Sequence, residues 1–311
     1  MLTKSLVLIV GFYFALQPVS SGVLESRSDT PRLASPPTQK ELKGVIALSA
    51  KGHWTLLGTN WLITDGQLKD LNFPSESLHP SPLSLGFFEG QNTLICSHGP
   101  ATATTSALAV FDISTANYRD IASLPGRVLT ISLSPDKHHV AFVSGKGRLE
   151  VLDLETKQVR DLAPAWPSNP SWSPDGTTIV FEKNREHDQG WGFSEVATAS
   201  LDSGNVIVLD KGRFPSWSPK GDLIAYTDVD GKQLKVTDPQ GGHRRVLKKN
   251  WAAIKGPIEG PLVWSPDQEH LIFHRVHDDI HGEEHNSAYV LDIGSGAIKS
   301  LAKDETILAW R

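Results

Sequence analysis

Cysteine is almost missing from this chain: Cys96 is the only one in 311 residues. One thiol makes no intramolecular disulfide and no thiolate metal cluster. Set in an apolar run, Cys96 reads as a small buried hydrophobe rather than a reactive group. An excess of positive charge is also missing. Thirty Lys and Arg face 35 Asp and Glu for a net charge of -5, and the basic residues are scattered, so the electrostatic footprint of a nucleic-acid binder is absent. There is no Gly-x-Ser-x-Gly nucleophile elbow, which removes the signature of α/β-hydrolase chemistry. No Asn-x-Ser/Thr sequon with an allowed middle residue occurs either.

Long hydrophobic runs are scarce as well. Residues 5–16 form an apolar run of 12 residues behind Lys4, followed by Val19, Ser20 and Ser21. The run is too short for a stable transmembrane helix and has the order of a secretory signal, so 1–21 is expected to be a signal peptide cleaved near Ser21. No cysteine is there to carry a lipid anchor. Residues 22–41 are rich in Ser, Thr, Pro and Arg and read as a flexible linker, leaving 42–311 as the folded domain.

That domain is a repeat. Residues 170–181 read PSWSPDGTTIVF, 215–226 read PSWSPKGDLIAY and 261–273 read PLVWSPDQEHLIF. Weaker copies are ISLSPDKHHVAF at 131–142 and SLGFFEGQNTLIC at 84–96. Each copy is an apolar run, a turn and a second apolar run. Proline presets φ in the turn, Asp bonds back to the backbone, and Gly accepts a left-handed conformation. The turn residues Phe88, Ser134, Ser173, Ser218 and Ser265 lie 46, 39, 45 and 47 residues apart. A second hairpin follows each copy, at 108–121, 149–162, 197–209, 234–247 and 288–301. Four strands, a to d, at a period in the forties predict an all-β propeller of four-stranded antiparallel blades.

The W-S-P-D-G run with its trailing aromatic, followed by an Asp-turn-Gly hairpin, resembles the TolB-like propeller repeat from about Lys43 onward. The first unit lacks its opening strand, and ILAWR at 307–311 matches one, with Trp310 where other copies have Trp217 and Trp264. The expectation is a six-bladed propeller whose C-terminal strand completes the N-terminal blade and so removes open edges. Trp172, Trp217 and Trp264 are expected to pack between blades, and Asp136, Asp175 and Asp267 to serve the turns.

Function is sought where the copies differ. From the turn serine to the second turn, Ser134 to Asp153 is 19 residues and Ser218 to Asp238 is 20, but Ser173 to Ser200 and Ser265 to Asp292 are both 27. The extra residues lie in 183–194 (KNREHDQGWGFS) and 274–287 (HRVHDDIHGEEHNS), between strands b and c. In a meander, the d to a connections, including 248–260, open on the same side. The candidate binding residues on that side are Trp166, His187, Trp191, Trp251, Lys255 and Arg275. His274, His277, His281 and His285, interspersed with Asp and Glu, are candidate ligands for a divalent metal, although a solvated polar loop is the simpler account of them. His281 to His285 spells H-x-x-E-H, but that pattern needs a helix.

Two functions are therefore expected to compete. One is an exported, non-catalytic, monomeric propeller without a cofactor, binding a protein or cell-envelope component through its loop-rich face. TolB's additional N-terminal α/β domain has no counterpart here. The other is a metal-assisted polysaccharide lyase or hydrolase, since oligogalacturonate lyases look similar in their repeats. In that case His274, His277 and His187 would hold the metal, and Lys255 or Arg275 would neutralise substrate carboxylates. A chain that stabilises a partner enzyme is a third possibility.

Overall fold

The computed structural model describes residues 45–50, 53–58, 61–62, 86–87, 93–98, 105–112, 115 and 117–310, apart from 165, 185–193, 249–250, 252–253, 279–283 and 304–305. The expected signal peptide and linker lie outside the described residues, as do His187, Trp191 and His281. Among the described residues there are strands and turns and no helix, and hence no helix long and apolar enough to cross a membrane.

The strands form six four-stranded antiparallel sheets. β1 (Val45–Ala50), β2 (His53–Gly58) and β3 (Trp61–Leu62) make the first with β24 (Thr306–Trp310), which pairs with β1 through Ile46 and Trp310. The second holds β4 (Gly86–Phe87), β5 (Thr93–His98), β6 (Thr105–Asp112) and β7 (Asn117–Pro125). The third holds β8 (Val128–Leu133), β9 (His139–Ser144), β10 (Arg148–Asp153) and β11 (Val159–Pro164). The fourth holds β12 (Pro167–Trp172), β13 (Thr178–Asn184), β14 (Ser194–Ser200) and β15 (Val206–Lys211). The fifth holds β16 (Arg213–Trp217), β17 (Ile224–Thr227), β18 (Leu234–Thr237) and β19 (Arg245–Lys248). The sixth holds β20 (Val263–Trp264), β21 (His270–Asp278), β22 (Glu284–Asp292) and β23 (Ile298–Lys303). First strands of successive sheets adjoin, β8 beside β12, β12 beside β16 and β16 beside β20.

The Ser-Pro-Asp turns fold as their chemistry dictates. Ser134, Ser173 and Ser265 each donate Oγ–H to the aspartate two residues on, at 2.5, 2.6 and 2.5 Å. Each serine Oγ accepts the backbone N–H that opens the next strand, from His139, Thr178 and His270 at 2.9 Å. Each aspartate also accepts a backbone N–H, from His138, Thr177 or Glu269. These bonds hold all three carboxyls below their ordinary pKa against the opposing effect of desolvation. In the fifth sheet Lys220 replaces the aspartate, and Asp222 takes over, accepting from Ser218 Oγ at 3.1 Å.

Both faces of β9, β13, β17 and β21 are buried, which explains their continuous apolar runs. Ala141 and Val143 pack with Trp172, Ile179 and Phe181 of the following sheet, while Val140 and Phe142 pack with Ile95, Leu108 and Leu124 of the preceding one. Each fully buried large side chain contributes about 1.5–3 kcal/mol, so stability resides between the sheets. The tryptophans join them. Trp172 Nε1 donates to Ser132 O at 2.9 Å and Trp264 Nε1 to Ser216 O at 3.2 Å, each reaching the preceding sheet. Trp217 occupies the same position and packs beside Val180 and Tyr226, but its buried Nε1 has no hydrogen-bond partner.

One element differs from expectation. The insertion at 274–287 is mostly a long hairpin: β21 runs to Asp278, β22 resumes at Glu284, and their register is unbroken from His270↔Asp292 to Asp278↔Glu284. The ladder satisfies backbone groups that a polar loop would leave to water.

Candidate functional site

The position nine residues after each turn serine carries the first part of the site. It holds Val143, Glu182, Thr227 and His274, all buried. Beside the first three, the first strand is irregular, and β8 shifts register between Val128 and Thr130. The register of β12 shifts between Ser168 and Ser171 with Asn169 at φ 52°, and that of β16 shifts between Arg213 and Ser216 with Phe214 at φ 53°. A bulge takes backbone groups off the ladder, and buried polar groups must be paired. Glu182 accepts from Asn169 Nδ2 at 3.0 Å and from the Phe214 N–H of the next sheet at 3.2 Å. Thr227 Oγ1 donates to Arg213 O at 3.3 Å. The His274 ring Nδ1 lies 3.1 Å from Pro261 O, and since a carbonyl only accepts, that nitrogen carries the hydrogen. Burial pushes the His274 pKa down to about 4, against the smaller opposing effect of this bond.

Arg213 links the fourth and fifth sheets to the connection between β19 and β20. Its Nε lies 3.5 Å from Glu182 Oε1, its Nη1 lies 3.2 Å from Glu259 Oε1, and its guanidinium sits 4.6 Å over the Phe214 ring. Nothing in the repeat pattern singled out this chain of charges. The signal was a lone Glu at the place where the other copies carry Val, Thr and His.

Residues 254–260 of the connection from β19 to β20 form a strap. Ile258 bridges Arg275 of β21, the Val276 N–H donates to Pro257 O, the Glu259 N–H to His274 O, and the Ile258 N–H to Gly231 O in the neighbouring b to c turn. Close approach demands glycine at two places. At Gly256 (φ 81°) a Cβ would lie 1.8 Å from Val276 O, and at Gly231 (φ 65°) 2.6 Å from Ile258 O.

Three predicted residues meet where this connection crosses β21. Arg275, 5% exposed, donates Nε–H to Lys255 O at 3.2 Å, and its guanidinium sits 4.8 Å over the Trp251 ring. Burial pulls its pKa below the ordinary value. Its Nη1 is buried and has no hydrogen-bond partner. Trp251 donates Nε1–H to Lys232 O at 2.7 Å and packs on Phe273 at 5.1 Å between ring centres. Lys255 itself is exposed.

Trp166 stands apart in its backbone. At φ 45° it is left-handed, a costly conformation for a bulky residue. Its N–H donates to Gly147 O, its carbonyl accepts from Asn184 Nδ2 at 2.9 Å, and its ring covers Gly147, where a Cβ would lie 2.6 Å from Cδ2. The residue remains 47% exposed.

The histidines divide. Side chains alternate along a strand, so His274 and His277, three residues apart on the unbroken β21, point to opposite faces and do not converge on one ion. The register instead puts His277 opposite His285. A different trio, Asp267, Glu269 and His270, brings three donor atoms within 4.8 Å of one another. It lies at the opposite end of the sheet, and Asp267 already accepts the Ser265 and Glu269 bonds of the turn.

No protein-family model matches the chain. One curated relative is an uncharacterized peptidase, YuxL, of Bacillus subtilis (strain 168), 25% identical over 113 residues, which make up 34% of this chain and only 16% of that protein. Among solved structures, a putative TolB from Agrobacterium tumefaciens is similar with a TM-score of 0.58 at 14% identity, over 86% of this chain and 97% of that one. A chain of a nidogen/laminin complex gives 0.57 at 13% identity, again over 86% and 97%. An oligogalacturonate lyase in complex with manganese gives 0.53 at 16% identity, over 84% of this chain and 74% of that one. At these identities the likeness shows the fold alone: an all-β arrangement of four-stranded antiparallel sheets like that of TolB-like and other β-propeller proteins.

Proposed function

We propose that this chain is an exported, non-catalytic six-bladed β-propeller, closed by β24 against β1. It binds a protein or cell-envelope component across the end that carries the b to c and d to a connections. The observation that carries the reading is Trp166, a large aromatic left half exposed while its backbone is strained and its ring is fixed on Gly147. Rigid exposed Trp, with Arg close to the interface centre, is the residue chemistry of binding hot spots. The likeness to TolB and to a nidogen/laminin chain fits a binding role. The test is crosslinked capture by the chain from residue 22 onward. Trp166→Ala and Lys255→Glu should lose the captured species, while Glu155→Lys, in the c to d turn at the other end, should keep it. Equal loss in all three would sink the reading.

A second reading, metal-assisted cleavage of an acidic polysaccharide, is favoured by two observations: the His277↔His285 register and the likeness to a manganese-bound lyase. The His274 and His277 pair does not fit one ion, for the reason given above, so His277 and His285, with His187 or His281, would hold it. A bound divalent ion would supply Lewis-acid polarisation of a carboxylate-bearing substrate. Elemental analysis of the purified chain with and without chelator decides. Stoichiometric metal lost in a His277→Ala, His285→Ala variant would favour the lyase reading.

A further inference from the structure

A buried cation without a counter-ion is costly, and Arg275 is one. Its side chain is 5% exposed, its Nη1 makes no hydrogen bond, and no carboxylate lies within ion-pair distance of it among the described residues. Its two documented partners, the Lys255 carbonyl and the Trp251 ring, are uncharged. The buried carboxylates Glu182 and Glu195, by contrast, are paired with Arg213 and Lys183. Yet the strap, with the close approaches at Gly231 and Gly256, is built so that it holds this guanidinium in place.

We propose that Arg275 is the receptor for a single carboxylate on an acidic side chain of a protein partner. Nη1 supplies the charge-assisted hydrogen bond and Lys255 a second positive charge at the rim. The inference rests on the reading above that this end of the sheets takes a protein. The geometry favours a slender carboxylate over a sugar acid. Trp251 stacks on the guanidinium and packs against Phe273, and Phe273 in turn stacks on Tyr289 at 5.6 Å, so these rings are engaged with one another rather than offered to a pyranose. Charge-assisted bonds to an arginine fixed in advance are among the stronger single contacts available to an interface.

The test uses the full chain and N-acetyl-glutamate N-methylamide as probe, read by the Arg275 Nε–H resonance and by calorimetry. Digalacturonate and inorganic phosphate are run beside it. The glutamate probe should shift the Arg275 resonance, and Arg275→Met should weaken its binding at least about tenfold, as the loss of one charge-assisted bond implies. Lys255→Ala should weaken it less. Without probe, Arg275→Met should unfold at a temperature no lower than the parent, because an unpaired buried charge has been removed.

Three outcomes overturn the proposal. If Arg275→Met unfolds several degrees lower and no probe moves the resonance, the arginine is purely structural. Binding of digalacturonate or phosphate alone would assign the site to another chemistry. If Trp166→Ala abolishes partner capture while Arg275→Met captures normally and the glutamate probe fails, this inference falls and the protein-binding reading stands.

Discussion

Acidification should weaken this fold through one residue, His274, before it acts through the carboxylates. The imidazole is buried with Nδ1–H committed to the Pro261 carbonyl, and its pKa is pushed from an ordinary 6.5 down to about 4. The unfolded chain therefore binds a proton in the window where the folded chain refuses it. The contribution of His274 to stability is flat above about pH 6.5, falls as pH drops through the window, and levels off below about 4. About two and a half pH units at 1.36 kcal/mol each amount to about 3 kcal/mol, a large share of a typical domain's stability. The turn carboxyls of Asp136, Asp175, Asp267 and Asp292 sit below their ordinary 3.8, so their losses come only in stronger acid. The perturbation is His274→Asn, whose amide can donate to Pro261 O but does not titrate. It should cost about 1–2 kcal/mol at pH 7 through lost volume. Urea unfolding followed by tryptophan fluorescence at pH 7.5, 6.5, 5.5 and 4.5 should show the parent losing stability stepwise and the variant holding nearly constant. An equal slope in both proteins, or a His274 NMR titration near 6.5, would refute the reasoning.

Other perturbations probe separate joints. Gly256→Ala meets the Val276 carbonyl and a left-handed φ together, so it should lower stability by about 2–4 kcal/mol and open the strap to limited proteolysis. Asp175→Ala removes an acceptor for Ser173 Oγ and for the Thr177 N–H and Oγ–H, a loss of about 1–2 kcal/mol in thermal unfolding. Glu182→Gln turns one acceptor into a donor facing Asn169, Arg213 or the Phe214 N–H, and should cost about 2–3 kcal/mol. A double-mutant cycle with Arg213→Met should show a coupling above about 0.5 kcal/mol, since the two side chains share one network.

The repeating parts of this molecule were legible because they are set by local chemistry. Ser-Pro-Asp-Gly closes its own turn, and an apolar run buried on both faces needs no knowledge of its neighbours. The strand at 306–310 could be matched to its sheet because Trp310 repeats Trp217 and Trp264. The site was less legible. Trp251, Lys255 and Arg275 could be named as polar or aromatic departures from the repeat, but their meeting depends on a strap whose path is decided by two glycines and a bridge to β21. The His-rich stretch looked like a loop because its polarity hides its alternation, and pairing across β21 and β22 settles the matter. Glu182 showed in the sequence only as a lone departure from the repeat, since its partners Asn169, Arg213 and Phe214 lie on two different sheets and two of them adopt a backbone no propensity scale anticipates.

The pairing of β24 with β1 has a consequence for the history of each molecule. Sheets two to six draw all four strands from neighbouring sequence and can form as the chain is delivered. The first sheet cannot, because the partner of β1 is β24, the last strand among the described residues. Until then Val45–Ala50 presents an unpaired edge, the kind of surface that recruits strands from other chains. The slowest step of maturation should therefore be the arrival of 306–310 at that edge, a contact of very long sequence separation. A chain stopped just short of it would be trapped as a nearly complete molecule with one adhesive side.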